Sequence, residues 1–175
     1  MWKLLTGDFD VPYEGCIPAT KPIEYQNKLP TERRIGFTDV VLLPGNDAAA
    51  ISDSYMRTSV PSLHKRLLEH VDRVRKNESK EDYFGPSIIA FTGKRQFLMM
   101  YPRKKDEPKG IPFGKVPPHL LPANWPLPKD KCQVWVLPSS SGRAVMTHEQ
   151  RAAPYRSLAE EYRRIMERDF ASQKN

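Results

Sequence analysis

The chain has 175 residues and a hydrophobic fraction of 39%, enough for one compact core and too little for two ordinary domains. Its formal charge of +7 and pI near 9.4 point to a polyanionic partner or a basic solvated surface. Two distant cysteines, Cys16 and Cys132, exclude a disulfide framework and a cysteine-ligated zinc site, and no apolar stretch approaches the ~18 residues of a membrane span.

In chain order, "MWKLLTGDF" reads as the end of a helix, with Trp2, Leu4, Leu5 and Phe9 apolar and Gly7 near its stop. "VPYEGCIPATKPIEYQNKLPTERR" reads as loop, set by its prolines. "IGFTDVVLLPG" carries a short apolar run rich in β-branched residues, closed by Pro44-Gly45, and is a strand candidate or the edge of one. "ISDSYMRTSVPSLHKRLLEHVDRVRK" is helical: Ser52 can cap it, and Leu63, Leu67, Val71 and Val74 recur on one face. Pro61 should kink or restart that helix, since it lacks an N–H and crowds the preceding turn.

"GPSIIAFTGK" is an apolar strand ending in Thr92-Gly93-Lys94, with a short helix behind it. The stretch 101–131 is a proline-rich excursion without periodicity. "CQVWVL" is a second buried strand. Thr147 and Gln150 form a capping box for a last helix whose stripe is Tyr155, Leu158, Tyr162 and Ile165. Strand, helix, strand, helix in this order implies an α/β fold with a parallel sheet covered by helices. Ligands of such sheets sit beyond the carboxyl ends of the strands, where both "TGK" and "PSSSGR" fall.

The cluster Ser139, Ser140, Ser141, Gly142 and Arg143 is therefore the leading candidate site. Serine hydroxyls and turn N–H groups can bind a phosphate, Gly142 admits a close backbone approach, and Arg143 reaches further. A flexible, solvated loop is the alternative. There is no GxSxG elbow and no GxxxxGK[ST] loop, and His64, His70, His119 and His148 lack ligand spacing.

Three blocks, "IGFTDVVLLPGNDAAAISDSY", "PSIIAFTGKRQF" and "VWVLPSSSGRA", resemble consecutive blocks of the mismatch-specific uracil/thymine-DNA glycosylases, in the uracil-DNA glycosylase superfamily. "MWKLL" is similar to the helix that precedes them. The likeness runs loosely from Trp2 to about Arg164 and is strong only in the three blocks. It implies a three-layer α/β/α sandwich around a short parallel sheet, in one domain spanning 1–175. The implied enzyme is a monofunctional hydrolase of base excision repair. It flips uracil or mispaired thymine from a G/U or G/T pair and cleaves the base from its sugar, without metal or organic cofactor. The implied partner is double-stranded DNA, met by a monomer with no membrane association, inside the cell and in the nucleus of a eukaryote. The resemblance places Arg143 at the intercalating wedge and Ser139, Ser140 and Ser141 against the flipped nucleotide and its phosphates. It also places Asp39, with Ser139, on the base pocket, where a carboxylate can accept from the ring N3–H. Lys94 faces the DNA backbone. A helix-cap or turn aspartate and a solvated lysine are the alternatives for the last two.

The departures matter. The family's first motif, Gly-Ile-Asn-Pro-Gly, closes a strand ahead of the Trp-Lys helix, and its asparagine positions the attacking water. Neither that strand nor that asparagine occurs here, so no catalytic residue is assigned and the sheet should be one strand short. Leu42 and Leu43 stand where relatives carry charge. The chain is then an N-terminally incomplete glycosylase or a shortened paralogue that binds mismatched DNA without catalysis. The first is favoured, because losing a central strand leaves unpaired edges. An unrelated α/β protein with a basic surface is the remaining rival.

Overall fold

The computed structural model describes residues 2–8, 12–18, 26–44, 49–139 and 145–172. Helices α1 (Trp2–Thr6), α2 (Leu29–Glu32), α3 (Asp53–Glu78), α4 (Lys94–Leu98) and α5 (His148–Ser172) accompany strands β1 (Ile88–Phe91), β2 (Gly114–Val116) and β3 (Gln133–Val136). The strands make one small mixed sheet in the order β1-β3-β2. β1 and β3 run parallel, with Ile88 opposite Gln133 and Phe91 opposite Val136. The parallel pair follows from the strand–helix–strand order. The mixed character corrects the all-parallel expectation: β2 arises inside the proline-rich stretch 101–131, which also holds 3-10 turns at Lys104–Asp106 and Pro118–Leu120. That stretch is thus a structured segment rather than a plain loop. Three residues carry too little periodicity to announce a strand.

The chain divides into two compact units, each assembled from separate stretches. The first comprises Met1–Phe37, Phe113–Lys115 and Leu137–Asn175. In it α1 packs on α5, and Leu4, Ile17, Leu29, Leu137, Tyr155, Leu158 and Ile165 are buried. Gly7 ends α1 at φ +78°; a Cβ there would lie 1.8 Å from the Tyr13 carbonyl oxygen, so only glycine fits. α2 and the 3-10 turn Gln26–Lys28 replace the loop expected there. Pro30 lies in the first turn of α2, where its missing N–H costs nothing, and Leu29 is fully buried. α5 begins with the expected capping box: Gln150 N–H donates to Thr147 Oγ1 at 3.1 Å, and Thr147 N–H donates to Gln150 Oε1 at 3.0 Å. Tyr155 donates its buried hydroxyl to the Pro138 carbonyl at 2.9 Å.

The second unit comprises Thr38–Pro112 and Val116–Val136. α3 is capped by Ser52, whose Oγ accepts from Tyr55 N–H at 3.1 Å. Met56, Val60, Leu63 and Val71 are its buried face, with Leu67 and Val74 half-buried. α3 does not restart at Pro61 but continues through it. A proline inside a helix costs about 3 kcal/mol. Here the buried face and the Arg57 side chain, which binds the carbonyls of Leu98 and Tyr101 and the Glu107 carboxylate, anchor the turn before it.

The second correction concerns the strand expected in "IGFTDVVLLPG". Residues 35–44 form neither strand nor helix, and Phe37, Leu42 and Leu43 are exposed. β-branched residues form a strand only beside a partner strand. This stretch instead carries the chain across the boundary between the units at Phe37 and Thr38. Its anchors are Ile35 N–H to the Leu29 carbonyl at 3.1 Å and Arg66 to the Asp39 carbonyl. Among the described residues no helix is long and apolar enough to cross a membrane.

Candidate functional site

Register fixes the carboxyl end of the parallel pair. Phe91 and Val136 are opposite each other, so both strands stop at the same level. After β1 the chain runs through Thr92 and Gly93 into α4, and after β3 it runs through Leu137 and Pro138 to Ser139. Phe91 is the floor of the first of these loops. Its ring meets the edge of Phe97 at 5.6 Å and of Trp125 at 6.2 Å, and Phe97 meets Tyr101 at 5.8 Å. Edge-to-face pairs of this kind add stability beyond the area they bury and hold the ring planes in place. The Tyr101 hydroxyl donates to the Leu120 carbonyl, which fixes the far side of the cluster.

Lys94 opens α4 and is half-buried. Its neighbour Arg95 sets where it stands: Arg95 Nε donates to the Asp53 carboxylate at 2.8 Å, and its Nη2 binds the Ile51 carbonyl. The start of α4 is thereby tied to the start of α3, where Asp53 also faces the positive end of the helix dipole. Asp39 belongs to the same unit. Its backbone carbonyl accepts from Arg66, while its carboxylate is exposed. Among the described residues, no hydrogen bond or ion pair joins Asp39 to Lys94. Ser139 is half-buried and belongs to the other unit. Ser140, Ser141, Gly142 and Arg143 lie outside the described residues.

Two features here had no counterpart in the sequence reading. The first is the contact of His64 with Trp125, edge to face at 6.2 Å. His64 Nε2 and Trp125 Nε1 are buried without a hydrogen-bond partner. Burial pushes the His64 imidazole below its usual range, so it stands neutral there. Sequence gave no signal, because the two residues are 61 positions apart and meet only through the fold. The second is Arg57, whose three acceptors come from a segment more than forty residues away. Among the described residues no group of three histidine, cysteine or acidic side chains could hold a metal ion.

The chemistry these residues offer is recognition by charge and hydrogen bond: a half-buried Lys94 at the start of α4, the loop backbone at Thr92 and Gly93, and an aromatic floor. No family model matches the chain, and no curated protein matches it either.

Proposed function

We propose that this chain is a DNA glycosylase of base excision repair, built on a three-layer α/β/α sandwich. It would extrude uracil or mispaired thymine from a duplex and hydrolyse the bond between base and sugar. The observation that carries the reading is the parallel pair β1 and β3, ending in register immediately before "TGK" and "LPSSSGR". In α/β proteins loops after the carboxyl ends of adjacent parallel strands are where ligands bind. The formal charge of +7 favours a polyanion at such an edge.

In this reading Arg143 fills the space vacated by the extruded pyrimidine, and Ser139, Ser140 and Ser141 bind the nucleotide and its phosphates. Asp39 accepts from the ring N3–H, and Lys94 meets the backbone. Extrusion costs a few kcal/mol, least at a mismatch, which gives selectivity before any chemistry. Water then attacks the sugar carbon as the bond to the base breaks; the pyrimidine leaves as an anion and takes up a proton from solvent. The chain contains no Asn-Pro-Gly triplet to position that water. That observation favours a second reading, a protein that binds mismatched DNA without cleaving it.

One experiment tests both. A duplex with a single G·U pair, incubated with the protein and treated with hot alkali, breaks at the uracil if the chain is a glycosylase. An intact duplex that is still bound in preference to a G·C control establishes the binding protein. Arg143→Ala should erode mismatch preference by about tenfold or more while leaving general affinity nearly unchanged. Equal loss on both duplexes would reduce Arg143 to a phosphate contact.

A further inference from the structure

The parallel pairing that gathers one set of loops at the carboxyl ends gathers another at the amino ends. The approach to β1 brings Tyr83 and Phe84, and the approach to β3 brings Lys131. Gln133 N–H donates to the Ser87 carbonyl at 2.8 Å and joins the two approaches. The last turns of α3 supply His70, Arg73 and Arg75.

Phe84 is 42% exposed, an unusual position for a ring with the whole second unit available to bury it. Arg75 and Lys131 each stand 5.9 Å from its centroid. That is the outer limit of cation–π attraction, so the ring neutralises neither charge. Among the described residues neither cation forms an ion pair. Glu78, whose charge reaches His70 and Tyr83, is bonded to Lys80. Two like charges are thus held beside one exposed ring without a counter-ion.

The surroundings fix this arrangement. Arg75 Nε donates to the Tyr83 carbonyl at 2.8 Å, which locks the guanidinium in position. Arg73 lies 3.2 Å from His70 Nδ1, and His70 Nε2 lies 3.1 Å from the Tyr83 hydroxyl oxygen. A guanidinium can only donate, so Nδ1 accepts and Nε2–H donates to Tyr83. The Tyr83 O–H is then left to donate in its turn. The face offers a ring and two cations, a combination suited to a flat aromatic group that carries negative charge.

We propose that the Phe84 face is a second nucleic-acid contact, which takes a nucleotide of an unpaired strand with its base against the ring and its phosphate between Arg75 and Lys131. It shares with the proposed function only the polyanion. It lies at the opposite ends of β1 and β3 from the loops assigned to base excision, and an unpaired strand beside an extruded base is one source of such a ligand.

The test is fluorescence anisotropy of the full chain with a labelled oligothymidylate about a dozen nucleotides long, a length within the usual site size of single-strand binders. Heparin serves as a polyanion without bases. Phe84→Ala should weaken oligothymidylate binding by about 5- to 150-fold, the worth of one stacked base, and leave heparin binding unchanged. Phe84→Trp should preserve it. Arg75→Ala and Lys131→Glu should weaken both ligands, each neutralised contact lowering the salt slope by about one. Thermal melts verify folding, and Lys131 is exposed, so its reversal leaves the core intact. Wild-type affinity in Lys131→Glu overturns the proposal, as does equal loss of both ligands in Phe84→Ala. Excision at G·U is read separately: its absence with oligothymidylate binding intact sinks the glycosylase and spares this site.

Discussion

Arg57 shows how a single side chain can decide a local structure. Its guanidinium reaches the carbonyls of Leu98 and Tyr101 and the carboxylate of Glu107, and both charged side chains are only 16% exposed. Charge-assisted bonds in such surroundings are the strong ones, and their acceptors would otherwise be left dry. Arg57→Ala should therefore lower the unfolding free energy by about 2–3 kcal/mol in urea titrations. Arg57→Lys should recover only part of it, since one ammonium cannot span a fork of three acceptors. The same residue bears on why α3 does not end at Pro61: the proline removes one bond of the ladder, and long-range anchors just before it hold the turn.

At the scale of elements, what was legible followed from local rules. Ser52 and the pair Thr147 and Gln150 announced the starts of α3 and α5, because a cap is a contact between residues three apart. Thr147→Ala removes that cap and should cost about 1 kcal/mol, read as a lower thermal midpoint with the helical signal otherwise intact. β1 and β3 were legible as apolar runs, and their parallel pairing followed from the intervening helices. Residues 35–44 were not, because their composition says "strand" while strand formation depends on a neighbour the sequence does not display. β2 was missed for the converse reason: three residues beside β3 become a strand by pairing alone. Of the candidate site, Lys94 and Ser139 were correctly placed just after strands. Its aromatic floor was invisible, because Phe91, Phe97, Trp125 and His64 are brought together only by the fold.

For the whole molecule the titration behaviour is set by what is buried. Burial pushes the thiols of Cys16 and Cys132 from 9.0 up to about 12, and the Tyr101 and Tyr155 hydroxyls from 10.0 up to about 12. The folded chain keeps these protons over a range in which the unfolded chain releases them. Their contribution to stability is complete below pH 9.0 and is lost as pH rises toward about 12. Urea midpoints should accordingly fall between about pH 8 and about pH 10.5, and Cys16→Ala or Cys132→Ala should flatten that slope. An unchanged midpoint in the wild-type chain would show that these groups ionise in place.

Cys16 lies in the first unit and Cys132 in the second, and both are free and buried. Each half of the molecule therefore carries its own built-in clock. A thiol reagent can modify Cys16 only when its surroundings breathe open, and Cys132 only when its own do. Two labelling rates on one untouched polypeptide would reveal whether the halves loosen together or one at a time.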